Sequence, residues 1–172
     1  MNLNALESFP RLETKRLVLD QLVKENVEQF LEINSFNDRA KTEEELDQLL
    51  RTIAKQQNEK QGVIWALYLD KEVIGTLGYY RGFENKEGEV GYVIREKYRR
   101  QGFLTEALTE VVRFGFEQLE LNSISAYTTD YNHASVLALE KFGFIKTETH
   151  SGLRRKWVIF EIKNDFIELF VS

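Results

Sequence analysis

Arg99-Arg100-Gln101-Gly102-Phe103-Leu104-Thr105 is the stretch from which the fold can be read. The apolar run Glu89-Val90-Gly91-Tyr92-Val93-Ile94 leads into it through a short basic turn. Residues 103–119 follow as a long amphipathic stretch, with Leu104, Leu108, Val111 and Gly115 along one side. Strand, glycine turn and helix start together make an anion site. The first N–H groups of a helix lack internal partners and point outward, and the helix dipole adds about half a positive charge there. Arg95, Lys97, Arg99 and Arg100 cluster just before that point. Four cations alone fit a solvated turn as well as a ligand site. Gly102 favours a cradle for a polyanion such as a pyrophosphate, because a backbone without a Cβ allows close approach.

The rest of the composition sets bounds. The chain has 172 residues, enough for one domain with a good core, and its 42% hydrophobic and 30% charged residues are ordinary for a globular protein. A net charge of −5 argues against a general nucleic-acid binder. There is no cysteine, which excludes disulfides, thiolate zinc sites and a cysteine nucleophile, and His133 and His150 are too few for a histidine-rich metal site. No signal-peptide core and no run of ~18 apolar residues is present, so a cytoplasmic protein free of the membrane is expected.

Outward from the central stretch the elements alternate in type. Residues 11–21 alternate as a strand, and Val23, Val27, Phe30 and Leu31 recur at helical spacing before a polar loop at 35–41. Thr42-Glu43-Glu44-Glu45 is a capping box that opens a helix with Leu46, Leu49, Leu50 and Ile53 as its buried stripe. Residues 63–69 and 73–80 form a hairpin across Asp70-Lys71-Glu72, and 89–95 adds a third strand after the loop 81–88. Residues 123–128 form a strand beyond the long helix, which predicts a parallel pair with a right-handed crossover. Asp130-Tyr131-Asn132 caps a short helix with Ala134, Leu137, Ala138, Leu139 and Phe142 as its apolar residues, and Gly143 ends it in a left-handed conformation. Residues 144–150 and 155–162 close the fold as a hairpin, and 163–172 is an apolar tail, strand or helix.

Arg99-Arg100-Gln101-Gly102-Phe103-Leu104 after Glu-Val-Gly-Tyr-Val-Ile resembles the acetyl-CoA motif of the GNAT (GCN5-related) N-acetyltransferases, Gln/Arg-x-x-Gly-x-Gly/Ala. Asn132-His133-Ala134-Ser135 followed by Glu140-Lys141-Phe142-Gly143-Phe144 resembles the family's second motif, about thirty residues on. The Glu-Val-Gly-Tyr strand and the Asn-x-x-Ser pattern are most like the RimJ/RimL branch, which acetylates ribosomal-protein N-termini. The resemblance spans about 11–163 of a single domain, 1–172. It implies an α+β fold: a mixed, mostly antiparallel sheet whose central parallel pair splays, flanked by helices. Two departures stand out. Leu104 occupies a position the family usually gives to Gly or Ala, and Leu139 occupies that of a tyrosine which in many members protonates the leaving thiolate.

The resemblance further implies acetyl-CoA as cosubstrate, with no metal. Backbone groups around Arg99, Arg100, Gln101, Gly102, Leu104 and Thr105 would hold the pyrophosphate. Tyr92, Val93 and Ile94 would bond the pantetheine arm through their main chain. Asn132 would cap its helix and hold a pantetheine amide. Glu89 is the candidate base, or else a surface carboxylate at a strand end. Ser135 is the candidate proton donor, or else an ordinary first-turn serine. Trp65, Tyr79, Tyr80 and Phe83 are either core or the lining of an acceptor funnel. The expected acceptor is a protein α-amino group. A small-molecule amine, or a non-catalytic acyl-CoA sensor on the same fold, are the alternatives.

Overall fold

In the computed structural model, residues 1–23, 29, 33, 40–151 and 156–164 are described. They form one eight-stranded sheet and three α-helices. The strands are β1 (Leu12–Glu13), β2 (Leu17–Asp20), β3 (Val63–Leu69), β4 (Glu72–Tyr79), β5 (Glu87–Ile94), β6 (Ser123–Thr129), β7 (Ile145–Ser151) and β8 (Lys156–Lys163). The helices are α1 (Glu43–Asn58), α2 (Phe103–Glu117) and α3 (His133–Phe142). Sheet order is β1-β2-β3-β4-β5-β6-β8-β7. Among the described strands only β5 and β6 run parallel, and α2 supplies the long crossover that a parallel pair requires.

Most elements form where local chemistry places them. Thr42 caps α1 through the expected box, its hydroxyl on the Glu45 N–H and the Glu45 carboxylate on the Thr42 N–H. Gly143 ends α3 at φ +108. The β3–β4 turn is tighter than expected, with Asp70 and Lys71 alone between paired Leu69 and Glu72. The strand expected over 11–21 is broken in two. Thr14 turns the chain by accepting the Leu17 N–H on its hydroxyl at 2.8 Å, which competes with strand pairing. The positions Val27, Phe30 and Leu31, most of the loop 35–41, the β7–β8 connection and the tail from 165 lie outside the described residues.

Two clusters fill the faces of the sheet. The larger packs α2 and α3 against one face, with Trp65, Tyr79 and Phe160 fully buried among Leu108, Val111, Leu139 and Phe142. The smaller covers the other face with Leu46 of α1, Ile33, Ala40, Ala66 and Val73. Leu104 is only half buried in α2, where Phe103, Ala107 and Leu108 take the deep positions. In α1 only Leu46 is fully buried, and Leu49, Leu50 and Ile53 are half covered. In α3 the apolar side is narrower than expected. Leu139 and Phe142 face the core with Ser135 above them at helical spacing, while Leu137 lies on the far side, 65% exposed.

Candidate active site

A gap opens in the middle of the sheet. The β5–β6 ladder runs from Glu87 opposite Ser123 to Val90 opposite Ala126 and ends there. β5 continues beside β4 as far as Ile94, and β6 continues beside β8 as far as Thr129. The parallel pair therefore splays after Val90, as expected. Which backbone groups line the gap follows from the pairing with β4. Tyr80 donates its N–H to the Glu89 carbonyl at 3.1 Å, and Arg95 donates to the Ile74 carbonyl at 2.9 Å. By the two-residue period, residues 89, 91, 93 and 95 direct their backbone groups at β4. Those of Tyr92 and Ile94 face the gap. Val93 thus departs from the expected main-chain set, because its groups are committed to β4. Within that set the Ile94 carbonyl also accepts from Arg99 Nε at 2.8 Å.

At the gap's end stands the N-terminus of α2. Gly102 precedes it at φ +82, and among the described residues a Cβ there would meet only Arg16 Nη2, at 3.4 Å. The first intrahelical bond runs from the Glu106 N–H to the Gly102 carbonyl, so the N–H groups of Phe103, Leu104 and Thr105 lie ahead of the helical ladder. Arg100 sits at φ +61, and Gln101 reaches back to the Lys97 carbonyl at 2.8 Å. The cations here divide their work differently from the sequence pattern. Glu72 Oε1 holds Arg95 at 2.7 Å and Lys97 at 2.6 Å, while the Tyr98 hydroxyl donates to Oε2. Hydrogen bonds from Lys97, then Tyr98 and Arg95, pull the Glu72 carboxyl down to about 2. Arg95 and Lys97 therefore brace the turn.

A cation the sequence did not single out arrives from β2's end of the chain. Arg16 donates to Glu106 at 2.7 Å and to the Gln101 carbonyl at 3.1 Å, and its guanidinium stacks 4.2 Å from the Phe103 ring. Partial burial alone would raise the Glu106 carboxyl. Hydrogen bonds from Thr14 and from the side chain and backbone of Arg16 outweigh it and hold the carboxyl low. The two partners are 90 residues apart, and no spacing rule links them.

At the fork itself stand Glu89, Tyr92 and Ser135. Glu89 is one residue before the last β5–β6 pair, with its side chain 19% exposed. Burial pushes its carboxyl up from the ordinary range, and Arg81, 3.5 Å away, partly offsets that. Tyr92 projects from the opposite face of β5, against the larger core. Its hydroxyl lies 2.7 Å from Ser135 Oγ. Burial raises the Tyr92 phenol, and the Ser135 bond works against the rise. Asn132 caps α3 by accepting the Ser135 N–H at 3.3 Å. The Ser135 side chain is thus engaged across the gap rather than in the capping of its own helix.

On the Glu89 side, a cleft of about 600 Å³ opens beside Arg81, lined also by Tyr80, Phe83, Gln56 and Lys60. Of the four aromatics considered for a funnel, Tyr80 and Phe83 line this cleft, whereas Trp65 and Tyr79 are sealed in the core. No helix among the described residues is long and apolar enough to cross a membrane.

A mixed sheet split at its parallel pair, with a helix N-terminus closing the split, is the GNAT architecture. Residues 16–145 match the acetyltransferase (GNAT) domain, and the chain belongs to that family as an N-acetyltransferase. An uncharacterized N-acetyltransferase of Bacillus subtilis, YoaA, is 34% identical over 150 residues, covering 80% of this chain and 84% of its own. Among solved structures, the RimL ribosomal L7/L12 α-N-protein acetyltransferase, determined with coenzyme A, superposes with a TM-score of 0.81 at 13% identity, covering 90% of this chain and 98% of that one. The ribosomal-protein-S5-alanine acetyltransferase of Vibrio fischeri superposes at 0.76 with 18% identity, covering 91% and 97%. At those identities the likeness is one of fold.

Proposed function

We propose that the enzyme transfers an acetyl group from acetyl-CoA to the α-amino group at a protein or peptide N-terminus. The observation that carries the reading is the gap between β5 and β6, with a half-buried carboxylate at its fork and a helix N-terminus at its end. Tyr92 and the N–H of Ile94 offer the polar edge an extended amide arm needs. Arg99, Arg100, Gln101, Gly102, Leu104 and Thr105 form the turn and first helical residues that would hold the pyrophosphate, with the open side of Gly102 as the approach. Asn132 would hold the arm near α3. Acetyl-CoA, when bound, supplies the activated carbonyl.

Glu89 takes the amine proton, directly or through water, and Ser135 gives a proton to the departing sulfur. The fold likeness to RimL and to the S5-alanine enzyme supports a ribosomal-protein terminus as the acceptor class. Proton arithmetic independently supports an α-amine over a lysine side chain. An α-amine titrates near ~7.8 and a lysine near ~10.4, so at neutral pH the α-amine offers a few-hundred-fold larger neutral fraction, worth about 3.5 kcal/mol. A single carboxylate beside Arg81 suits that lighter task. On this reading the enzyme works in the cytoplasm and needs no metal.

The test is competitive acetylation of one peptide with a free N-terminus and an internal lysine, read by fragment mass spectrometry. Acetyl groups found mainly on the N-terminus are expected. Acetylation of the lysine, consumption of a polyamine or antibiotic amine in place of the peptide, or acetyl-CoA binding without turnover on any amine would each overturn the assignment.

A further inference from the structure

The Tyr92 hydroxyl and Ser135 Oγ, 2.7 Å apart, bridge the two banks of the gap. Tyr92 stands on β5 two residues past the last β5–β6 pair. Ser135 stands on α3, just beyond the end of β6. We infer that Tyr92 is a positioning residue that orients the Ser135 hydroxyl into the gap and replaces the proton Ser135 gives up. The inference rests on the reading of Ser135 as donor to the leaving sulfur.

The chemistry asks for such a partner. An alkyl thiol titrates near ~8.5, and an aliphatic hydroxyl is a far weaker acid, so serine alone transfers its proton uphill. A phenol near ~10 lies much closer to the thiol. As the carbon–sulfur bond of the tetrahedral intermediate breaks, sulfur takes the Ser135 proton and Ser135 Oγ takes the Tyr92 proton. The charge ends on the phenolate, which regains its proton from water, while the proton lost by the amine leaves through Glu89. No oxidant, metal or further reactant is needed.

The local structure suits these roles. The Tyr92 ring packs against the larger core, which fixes its hydroxyl. A phenol is protonated at neutral pH and so can donate; burial makes Tyr92 a weaker acid, and the Ser135 bond works against that rise. With the phenol O–H donating to Ser135 Oγ, the serine's own proton turns toward the gap. Leu139 fills the position that in many relatives holds the donor tyrosine, and it is buried here with no polar atom to offer. The phenol approaches from the strand instead.

Tyr92→Phe keeps the ring and removes only the hydroxyl. Steady-state kinetics should show kcat lower by ~10-fold with the acetyl-CoA KM unchanged, against ~10²-fold for Ser135→Ala, the low end of general acid catalysis. The double variant should be no slower than Ser135→Ala, because Tyr92 acts only through Ser135. In mixtures of light and heavy water, wild-type kcat should bend as two protons in flight require, and Tyr92→Phe should give a straight line. Wild-type kcat in Tyr92→Phe, or a double variant in which the losses multiply, defeats the relay while leaving Ser135 as donor. Wild-type kcat in Ser135→Ala defeats the underlying reading itself.

Discussion

Gly115→Ala should destabilise the protein, although alanine is the better helix former. Gly115 faces β4 from the second half of α2. A Cβ there would stand 2.1 Å from the Tyr79 hydroxyl and 3.0 Å from both Tyr79 Cζ and Ile124 Cδ1. Tyr79 is fully buried and donates to the Val111 carbonyl at 2.9 Å, so its ring cannot swing into solvent. Relief requires the phenol to move by about an ångström or the helix to lift. Overpacking of this kind costs ~1–3 kcal/mol, and a stranded buried hydroxyl another ~1–3. The helix gains back ~1 kcal/mol from alanine. The net is a loss of about 3 kcal/mol, or roughly 6–12 °C in Tm for a chain of this size. The signature lies in the rescue. Tyr79→Phe removes the oxygen at 2.1 Å, so Gly115→Ala with Tyr79→Phe should be about 1–2 kcal/mol more stable than Gly115→Ala alone. Urea denaturation of the four proteins measures all of this. A Gly115→Ala variant as stable as wild type, or losses that simply add, would show that this contact does not set the spacing of α2 from the sheet.

Gly102→Val places a β-branched residue at φ +82, where strain of about 1–3 kcal/mol is expected, yet a Cβ meets only Arg16. The variant should fold with a Tm lower by several degrees and bind acetyl-CoA at least ~10-fold more weakly by calorimetry; unchanged affinity would remove the cradle from this turn. Glu89 has its carboxyl raised by burial and restrained by Arg81, so the acid limb of kcat/KM should lie above the ordinary 4.5 and climb further in Arg81→Ala. A limb that ignores Arg81 would exclude Glu89 as the titrating base. Glu72 is pulled down to about 2 from an ordinary 4.5, so its braces are fully present above pH 4.5 and are lost as pH falls toward 2. Glu72→Gln should lower Tm at neutral pH and flatten its fall across that window; an unchanged Tm-against-pH curve would show the cluster to be inert.

The parts of the site legible in the sequence are those built by near neighbours. The turn at 99–105, the cap at Asn132 and the left-handed Gly143 each follow from residues a few positions apart, whose geometry the backbone dictates. The parallel pair was legible because a helix of fifteen residues between two strands allows little else. What escaped depends on tertiary meeting. Tyr92 and Ser135 are 43 residues apart and touch only because β5 and β6 diverge and the first turn of α3, beyond the end of β6, comes within reach of the Tyr92 ring. Arg16 and Glu106 meet because the turn at Thr14 carries β2's start onto α2. Lys97 and Arg95 read as ligand cations because Glu72, across a hairpin, is invisible in a local window. Leu137 read as core because composition does not say which way a short helix rolls.

The parted sheet carries a liability of its own. Past Val90 and Ala126 it has two inner edges, each with backbone groups that ordinary pairing would satisfy. Exposed strand edges invite foreign strands, and most sheets cover or charge them. Here the covering would be an extended ligand laid in the gap, and mass action sets what it contributes. At a hundred times its Kd such a ligand adds about 2.7 kcal/mol, a large share of the ~5–15 kcal/mol that holds a native domain together. The folded population, and its protection from stray strand pairing, would then rise and fall with the supply of acyl thioester in the surrounding medium.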